Sequence, residues 1–418
     1  MSTIESLSAV EILDSRGRPT MHATCRLVTG HAASASVPSG ASTGSAEALE
    51  LRDGDMGRYA GLGCLKAVAN VNLEINQTLA GKDFAEQAAL DSCLLELDGT
   101  ENKSRLGANT ILAVSLAFCR AQASERGIAL YAHLAHMAER SPQLPRPMIN
   151  LFSGGVHGGG QTAIQDVQIV VPGAGSIRRT LEVTSDVFRA AVDLVAERYS
   201  MRLLTADEGG LAPAFESSEA MLAAAVEAIK LAGYAPGEEV ALTVDIAASQ
   251  FFSDDRYHID GDSIDRGGMI DLIDSWRSTY PIASVEDGLN ESDWPGWKRL
   301  FQRLQGRAMT LGDDLLCTNP ARIRYAIEQK ACDSLLHKVN QIGTLTEALE
   351  ALRLARGAGW NIVVSARSGE TEDDWLADLA TGWAGDYIKV GSITQSERLA
   401  KYNRLLVLEA MHNLSLPV

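Results

Sequence analysis

The stretch NIVVSARSGETEDD, residues 361–374, decides the fold, because a short apolar run leads directly into Arg367 and Ser368. An apolar run of this length that ends in charge and glycine is typical of a buried β-strand. Its end would present a cation and a hydroxyl together, which indicates a place where an anion binds. The residue before the arginine is Ala366, whose side chain can neither donate nor accept a hydrogen bond. The pattern therefore predicts an anion site with one inert position beside its arginine.

Five further apolar runs end in a charged residue in the same way: ALTVDIA at Asp245, IASVEDG at Glu286, MTLGDDL at Asp313, SLLHKVN at Lys338 and DYIKVGS at Lys389. With Arg367 included, successive charges are 22 to 41 residues apart, roughly one strand plus one helix. In a closed barrel of βα units, all strand C-termini open on the face that carries the active site. One such charge could equally be a solvated surface group. Six in succession predict a ring of charged side chains around a barrel mouth.

The chain divides at SPQLPRP, residues 141–147, where prolines interrupt the pattern. Before it, the first 60 residues predict an antiparallel meander of short strands, and residues 65–140 have the apolar spacing of helices. After it come the strand–helix repeats. We therefore predict an α/β protein with an α+β domain over residues 1–140 and a catalytic barrel domain over residues 141–418.

Composition narrows the class of protein further. The hydrophobic fraction of 46% is ordinary for a globular chain, and the net charge of −17 argues against a nucleic-acid partner. Six widely spaced cysteines without a Cys-x-x-Cys pair predict reduced, mostly buried thiols. The N-terminus lacks the pattern of a signal peptide, and the apolar stretch ANTILAVSLAFC is too short to cross a bilayer. We expect a soluble, cytoplasmic protein with no membrane partner.

The carboxylates at three consecutive strand ends predict a metal site. Asp245, Glu286 and Asp313 would form a set of hard oxygen ligands, and Mg²⁺ suits such a set because it leaves positions for water and substrate oxygens. Without a cation, three converging carboxylates would repel one another and some would take up protons.

The cations of the ring predict the substrate. Lys338, close to a metal and an arginine, is expected to have a depressed pKa and to act as a base near neutral pH. Arg367 and Lys389 suit an acidic substrate that carries a carboxylate and a phosphoryl group. A metal and a lysine base together are what removal of a proton next to a carboxylate requires.

A hydroxyl that leaves the substrate would need an acid, and two glycine-rich stretches offer one. LLTADEGGLAP contains Glu208, and GGVHGGGQTAIQDVQIVVP contains His157, Gln165 and Asp166. A lone histidine in a loop is as easily a surface residue, but the glycines on both sides make His157 a candidate for a mobile loop over the site. No glycine cluster has the spacing of a nucleotide-binding loop.

These motifs identify a family. ILDSRGRPT, VPSGASTG, ADEGGLAP, SVEDGL, GDDL, KVNQIGTLTE, RSGETED and SERLAKYNRLL together resemble enolase, the Mg²⁺-dependent phosphopyruvate hydratase, over essentially the whole chain. The resemblance implies an N-terminal α+β capping domain, a C-terminal modified (β/α)₈ barrel of the TIM type, two Mg²⁺ ions per subunit and a homodimer or higher homo-oligomer. Members with a lysine base and one or two Mg²⁺ ions are a known example of such chemistry.

The resemblance also implies a role for each residue of the metal side. Asp245, Glu286 and Asp313 would hold the first metal ion. Ser42, in the SGASTG loop, would close over the substrate and reach the second ion. Lys338 would be the base.

On the substrate side, the resemblance implies that Lys389 faces the substrate carboxylate and that Arg367 and Ser368 bind the phosphoryl group. Glu208 would be the acid that acts on the leaving hydroxyl. His157 would arrive with a closing loop.

Three positions depart from the family pattern. Ala366 stands where enolases carry histidine, Asp166 stands where they carry glutamate after Gln165, and Gln250 stands where they carry glutamate after Ser249. The first two belong to the end of the family site that handles the 3-hydroxyl of the substrate. The half of the site that binds and activates a phosphorylated acid matches the family, whereas the half that expels hydroxide is rebuilt.

Three hypotheses follow from this mixture. The first is a divergent enolase-type enzyme that acts on 2-phosphoglycerate, phosphoenolpyruvate or a close phosphonate analogue, with a larger group near Ala366. By analogy it resembles carboxyphosphonoenolpyruvate synthase, a relative in phosphinothricin-type biosynthesis that uses a nucleotide-carried phosphonoformyl group. The second is an ordinary enolase with tolerated changes. The third is a non-catalytic interaction protein.

Overall fold

The structure is a computed structural model, and it describes residues 1–41, 44–199 and 204–417. An antiparallel sheet in the order β3-β2-β1-β4 opens the chain, and its strands are β1 (Ser2–Leu13), β2 (Pro19–Leu27), β3 (Ala32–Ser36) and β4 (Asp83–Phe84). Every second residue of β2 from Met21 onward is buried, as a sheet with one covered face requires. The predicted meander is therefore present, but it ends at Ser36 rather than near residue 60.

Helices cover this sheet: α1 (Leu65–Asn70), α2 (Asn76–Leu79), α3 (Gln87–Asp98), α4 (Ala108–Glu125) and α5 (Leu130–Ala138). A π-helical turn at Val71–Ile75 joins the first two. The apolar stretch ANTILAVSLAFC forms most of α4, which is almost entirely buried and contacts β2 and β3. None of the described helices is long and apolar enough to cross a bilayer.

The remaining strands follow in chain order: β5 (Arg146–Ser153), β6 (Asp166–Val170), β7 (Ala241–Asp245), β8 (Phe252–Ser253), β9 (Arg256–Ile259), β10 (Asp262–Ile264), β11 (Ile282–Glu286), β12 (Met309–Gly312), β13 (Ser334–His337), β14 (Asn361–Ser365) and β15 (Tyr387–Gly391). Eight of them close into a barrel in the order β11-β12-β13-β14-β15-β5-β6-β7, and β8 to β10 form a separate small sheet. The predicted eight-stranded barrel is confirmed.

The helices of this part are α6 (Ile177–Tyr199), α7 (Ser218–Leu231), α8 (Arg266–Thr279), α9 (Trp294–Leu304), α10 (Pro320–Gln329), α11 (Val339–Ile342), α12 (Leu345–Gly357), α13 (Trp375–Gly382) and α14 (Ser396–His412). Two short 3₁₀ turns lie at Tyr59–Gly61 and Ala248–Phe251. Side-chain caps start several of the helices that follow strands. Asn319 and Thr344 each accept a backbone N–H at the first turn of α10 and α12, as capping requires.

One barrel strand departs from the simple βα pattern. All six strands found from the charged runs are parallel to their neighbours in that series, but β6 runs antiparallel to both β5 and β7. The chain returns from β5 to β6 through a loop instead of a crossover helix, and a strand connected in this way must reverse direction. The first residue of β6, Asp166, therefore lies on the same rim as the last residue of β7, Asp245, with which it is paired.

The barrel interior is a packed core. Met148, Leu311, Leu336 and Val363 form an apolar cluster inside it, so the charged rim lies above a plug of side chains and not above a pore. All six cysteines are free, and every one except the partly exposed Cys93 is buried, which confirms the prediction of reduced thiols.

Candidate active site

The first part of the site is built from three strand ends across the barrel mouth. Asp245 and Glu286 end β7 and β11 and are paired in register. Lys389, in β15, reaches across and donates to Asp245 Oδ2 at 2.7 Å and to Glu286 Oε1 and Oε2 at 2.9 and 2.8 Å. Burial raises the pKa of the Asp245 carboxyl, but the charge and hydrogen bond of Lys389, together with the charges of Lys338 and His157, outweigh burial and leave that pKa lowered. Burial and the neighbouring carboxylates raise the pKa of Glu286 well above its usual range.

The second part lies at the ends of β12 and β13. Lys338 follows β13 directly, and its Nζ donates to Asp313 Oδ2. Burial lowers the pKa of the Lys338 ammonium, but the attraction of Asp313 and Glu286 together outweighs burial and the repulsion of Arg367 and Lys389, so the pKa is raised. The predicted depression of this pKa depends on a bound metal ion, whose charge would oppose that of Asp313, and it stays a prediction for the metal-bound site.

The donor set at this mouth fits a divalent cation. Asp245, Glu286 and Asp313 are all buried, and two ammonium groups face three carboxylates, which leaves the set one positive charge short. Their oxygens are the hard ligands that Mg²⁺ prefers. The three do not, however, gather into one tight group: among the described residues, the acidic groups with all ligand atoms within 4.8 Å are Asp287–Asp313–Asp314 and His157–Asp166–Glu208. Lys389 bridges Asp245 and Glu286, whereas Asp313 is paired with Lys338.

In the Asp287–Asp313–Asp314 group, the Asp287 carboxylate binds backbone N–H groups. It accepts the backbone N–H groups of Asp313 and Asp314 at 3.0 and 2.8 Å, so both of its oxygens fix the turn that follows β12. Burial and the charge of Asp313 raise the pKa of Asp314 to about 7. Asp287 therefore positions the turn that presents Asp313.

Arg367 follows β14, the strand next to β13, and is tightly held. Its guanidinium forms a bidentate pair with Glu47, with Nη1 to Oε2 at 2.9 Å and Nη2 to Oε1 at 3.2 Å, and Nη1 also donates to Asn340 Oδ1 at 3.0 Å. Both charged side chains are almost completely buried. A bidentate arginine–carboxylate pair fixes the plane of the guanidinium. Glu47 therefore sets the direction in which Arg367 faces the site.

The first residue of the SGASTG loop, Ser39, contacts the backbone beside the predicted phosphoryl position. Ser39 and Gly369 exchange backbone hydrogen bonds at 2.8 and 2.9 Å. Arg16 binds this junction from below, donating to Ser368 Oγ at 3.2 Å and to the Ser39 carbonyl at 3.0 Å. Ser42, predicted to bind substrate and the second metal ion, lies outside the described residues.

The acid side is assembled from the two glycine-rich stretches. His157 Nδ1 lies 3.1 Å from Asp166 Oδ2, and Ser153 donates to the other oxygen of that carboxylate. Glu208 accepts from Asn150 Nδ2 at 3.0 Å. The backbone carbonyl of Glu208 accepts from Ser392 N at 2.8 Å, so its loop is tied to the end of β15.

On the acid side, the pKa values place the proton on a different residue from the predicted acid, Glu208. Burial lowers the pKa of His157, but the charges of Asp166 and Glu208 outweigh burial and raise it to about 9. Burial raises the pKa of Glu208, but the positive charges of His157, Arg398 and Lys389 outweigh it, so that pKa is lowered. At neutral pH the proton of this group therefore lies on His157 and not on Glu208, the predicted acid.

One small cavity joins both sides of the site. The residues that line it are Ala41, His157, Gln165, Glu208, Asp245, Lys338, Ser365, Ala366, Arg367, Ser368 and Lys389. Nine of the predicted site residues are among them, and the structure thus brings the base and acid sides to one space. Asp166, Glu286 and Asp313 do not line the cavity and contact it through His157, Lys389 and Lys338.

Two family models match this chain. Residues 4–134 match the N-terminal domain of enolase, and residues 141–414 match the enolase C-terminal TIM barrel domain. The chain belongs to the enolase family. The resemblance found in the motifs is therefore confirmed, and with it the class of an enolase-superfamily enzyme. Enolases typically use Mg²⁺ and act on small phosphorylated substrates, and the carboxylates described above could bind such an ion.

The third departure from the enolase pattern has a visible consequence. Gln250 Nε2 donates to Gln165 Oε1 at 2.6 Å, and Gln165 Nε2 donates in turn to Asp245 Oδ2 at 3.0 Å. A glutamate at position 250 would place a carboxylate against the Gln165 carbonyl oxygen. Gln250 thus supplies the donor that lets Gln165 turn its amide nitrogen toward Asp245.

Sequence reasoning did not find several residues that organise this enolase site. Arg16, Glu47, Asn340 and Gln341 all lie within the quoted family motifs or directly after them, but their partners are distant in sequence. Only for Gln341 does the local pattern carry a signal, because it lies in the helical turn that begins directly after Lys338 at a strand end.

The raised pKa of His157 predicts a pH-dependent contribution to stability. A folded-state pKa of about 9 against an ordinary value of 6.5 means that the folded protein binds this proton more tightly than the unfolded chain does. The contribution, up to about 3 kcal/mol, is complete below pH 6.5 and is lost as the pH rises through 9. Urea unfolding of the wild type and of His157→Gln should give free energies of unfolding that differ at pH 6.5 and converge by pH 10. A constant difference across that range would contradict the pairing with Asp166.

Proposed function

We propose that this enolase-family protein is a divergent member that removes the proton next to the carboxylate of a small phosphorylated or phosphonylated acid. The observation that carries the proposal is the shared cavity, in which Lys338, Lys389 and Arg367 lie on the same walls as Glu208 and His157. Three cations around one small space suit a substrate with several negative charges. A buried lysine among them is a candidate base.

In this proposal the unprotonated amine of Lys338 takes the proton from carbon 2 of the substrate. The electron pair of the broken C–H bond moves into the carboxylate, which then carries two negative charges. Lys389 stabilises that charge, and Arg367 with Ser368 holds the phosphoryl or phosphonyl group. Where a hydroxyl leaves from carbon 3, the electron pair returns to form the C2–C3 double bond. The departing hydroxide takes a proton from the group of His157 and Glu208 and leaves as water.

Mg²⁺ belongs to the proposal as a cofactor. Asp245, Glu286 and Asp313 would hold one ion, and Ser42 would contribute to a second. When bound, the ion supplies positive charge that favours the doubly charged carboxylate of the substrate.

The small side chain of Ala366 favours a substrate group larger than a hydroxyl at this place. The residue lines the cavity between Ser365 and Arg367, and its side chain is smaller than the histidine that enolases carry at this position. We therefore favour 2-phosphoglycerate or a phosphonate analogue with a hydrogen on carbon 2 as substrate class. Phosphoenolpyruvate, which has no hydrogen on carbon 2, would be the product, or the substrate of the reverse reaction in which water is added. A reaction like that of carboxyphosphonoenolpyruvate synthase, with a phosphonoformyl group next to Ala366, is the form of the proposal that uses this space.

An ordinary enolase reaction is the second candidate, and one observation favours it. Ligand atoms of His157, Asp166 and Glu208 lie within 4.8 Å of one another, so an acid group is assembled even though Asp166 is shorter than glutamate. The third candidate is a non-catalytic role, in which neither removal of the C2 proton nor dehydration occurs.

One assay separates these candidates. The protein is incubated with Mg²⁺ and 2-phosphoglycerate in deuterated water, and NMR follows both exchange of the C2 proton and formation of phosphoenolpyruvate. We expect exchange to be faster than dehydration. Dehydration at the rate of a glycolytic enolase would overturn the divergent assignment. Absence of both steps, with Mg²⁺ bound, would point to another substrate or to a non-catalytic protein.

Restoring the family residues should raise dehydration. We expect the double variant Ala366→His with Asp166→Glu to form phosphoenolpyruvate at least about tenfold faster than the wild type, because a positioned acid–base group contributes about 10²–10⁴-fold to such a step. The C2 exchange rate of the same samples is the internal control, since neither side chain is the proposed base. The single variants show which position matters. An unchanged dehydration rate in the double variant and in both single variants would show that neither position limits dehydration.

The homo-oligomeric state, the cytoplasmic location and the division of the chain at residue 140 remain predictions from the sequence.

A further inference from the structure

Gln341, on the short helix α11, is completely buried and hydrogen-bonded at both ends of its amide. Its Nε2 donates to Asp313 Oδ1 at 2.7 Å and to Glu47 Oε1 at 3.4 Å. Its Oε1 accepts from Thr318 Oγ1 at 2.6 Å, and that hydroxyl oxygen accepts in turn from the backbone N–H of Lys338 at 2.9 Å. One amide therefore touches the metal side, the base and the partner of Arg367.

The orientation of this amide is determined by its neighbours. Asp313 and Glu47 are carboxylates that only accept. The Thr318 hydroxyl accepts from Lys338 N and donates its proton to the Gln341 oxygen. A rotated amide would place its oxygen against two carboxylates and leave buried groups without partners, which is unfavourable. The Gln341 side chain consequently has one arrangement that satisfies all three contacts.

The Glu47 end of this chain of contacts leads directly to the anion side. The same Oε1 atom that receives Gln341 also accepts from Gly44 N at 3.1 Å and from Arg367 Nη2 at 3.2 Å. A shift of Asp313 would therefore move the Gln341 amide, and through it the carboxylate that orients Arg367.

We propose that Gln341 is a positioning residue that couples the metal carboxylate Asp313 to the anion-binding Arg367 through Glu47. The inference rests on the proposed function, which assigns the metal to Asp313 and the anion to Arg367. Such coupling is reciprocal: a cation bound at Asp313 changes anion affinity at Arg367, and a bound anion changes cation affinity by the same factor.

A double-mutant cycle read out by calorimetric titration with Mg²⁺ alone tests the coupling. Glu47→Gln in the wild-type background should change the Mg²⁺ dissociation constant about fivefold. In the Gln341→Met background, the same change should alter it less than about twofold, because the connecting amide is gone. Titration with inorganic phosphate with and without Mg²⁺ should show the same loss of coupling. If Glu47→Gln changes the Mg²⁺ dissociation constant equally in both backgrounds, the effect arises from long-range charge alone, and the proposal is overturned.

Control variants keep the test decisive. Gln87→Met replaces another buried glutamine, one that donates to Asp91 and Ser115 away from the site, and should leave Mg²⁺ affinity unchanged.

If Gln341→Met does not fold, Thr318→Val removes the donor that orients Gln341, and Thr318→Ser retains it. The valine variant should lose the coupling and the serine variant should keep it, and the reverse would overturn the proposal. If the wild type binds no Mg²⁺, the metal assignment of the proposed function and the coupling both fail. If Mg²⁺ binds but the effects of Glu47→Gln and Gln341→Met on its dissociation constant are additive, only the coupling is overturned.

Discussion

Lys338→Ala is expected to abolish exchange of the C2 proton of 2-phosphoglycerate, with a loss of about 10²–10⁴-fold in the exchange rate. Lys338 lines the cavity, follows the end of β13 and is held by Asp313. A positioned amine is the group that can accept a proton from carbon, whereas its other neighbours in the cavity wall, Arg367 and Ser368, are poor bases. NMR in deuterated water measures the rate directly, without dependence on later steps.

Two variants make this result specific to the base. Lys338→Arg keeps the positive charge but replaces the amine by a guanidinium, which does not deprotonate in proteins, so exchange should be lost as completely as with alanine. Lys298→Ala removes an exposed lysine of α9 and should exchange like the wild type. Because Lys338 contacts Asp313, Mg²⁺ binding is measured on the same samples. Retained exchange in Lys338→Arg would assign the base to another residue, with Lys389 as the next candidate.

The barrel and its charged rim could be predicted from the sequence because both follow from local patterns. A buried parallel strand needs a short apolar run, and its C-terminal end reaches the rim, so a charge at that end is visible in the chain itself. This reasoning placed Asp245, Glu286 and Arg367 at one mouth, and Lys389 differs only in lying within β15 rather than after it.

The parts that could not be predicted depend on contacts between distant segments. Glu47 and Arg367 are 320 residues apart, and nothing near either residue indicates the other. The reversed direction of β6 could not be predicted either, because the residue pattern of a strand does not show whether it runs parallel or antiparallel to its neighbours. Only the absence of a crossover helix between β5 and β6 indicates the reversal. The ion pair between Lys338 and Asp313 is of the same kind, since the sequence predicts both residues at strand ends but not the contact between their side chains.

The proton on the acid side leads to the second large effect, which concerns His157. We expect His157→Gln to lower phosphoenolpyruvate formation by about 10²–10⁴-fold while C2 exchange stays close to the unmodified rate. The reason is that the raised pKa of His157, about 9, places the proton on its imidazole at neutral pH, whereas the lowered pKa of Glu208 leaves that carboxyl ionised. The comparison uses the wild type, or the Ala366→His variant if only that protein dehydrates measurably.

Glu208→Gln distinguishes the two possible acids, because the sequence assigns this role to Glu208 and the charges of the folded site assign the proton to His157. If Glu208 itself delivers the proton, its glutamine variant should stop dehydration and His157→Gln should only weaken it. If His157 delivers the proton, Glu208→Gln should retain part of the activity, since the imidazole keeps its partner Asp166. His136→Gln, at an exposed histidine of α5, should match the wild type in both measurements. Equal losses of exchange and dehydration in His157→Gln would mean that His157 acts before the proton leaves carbon 2, in binding the substrate.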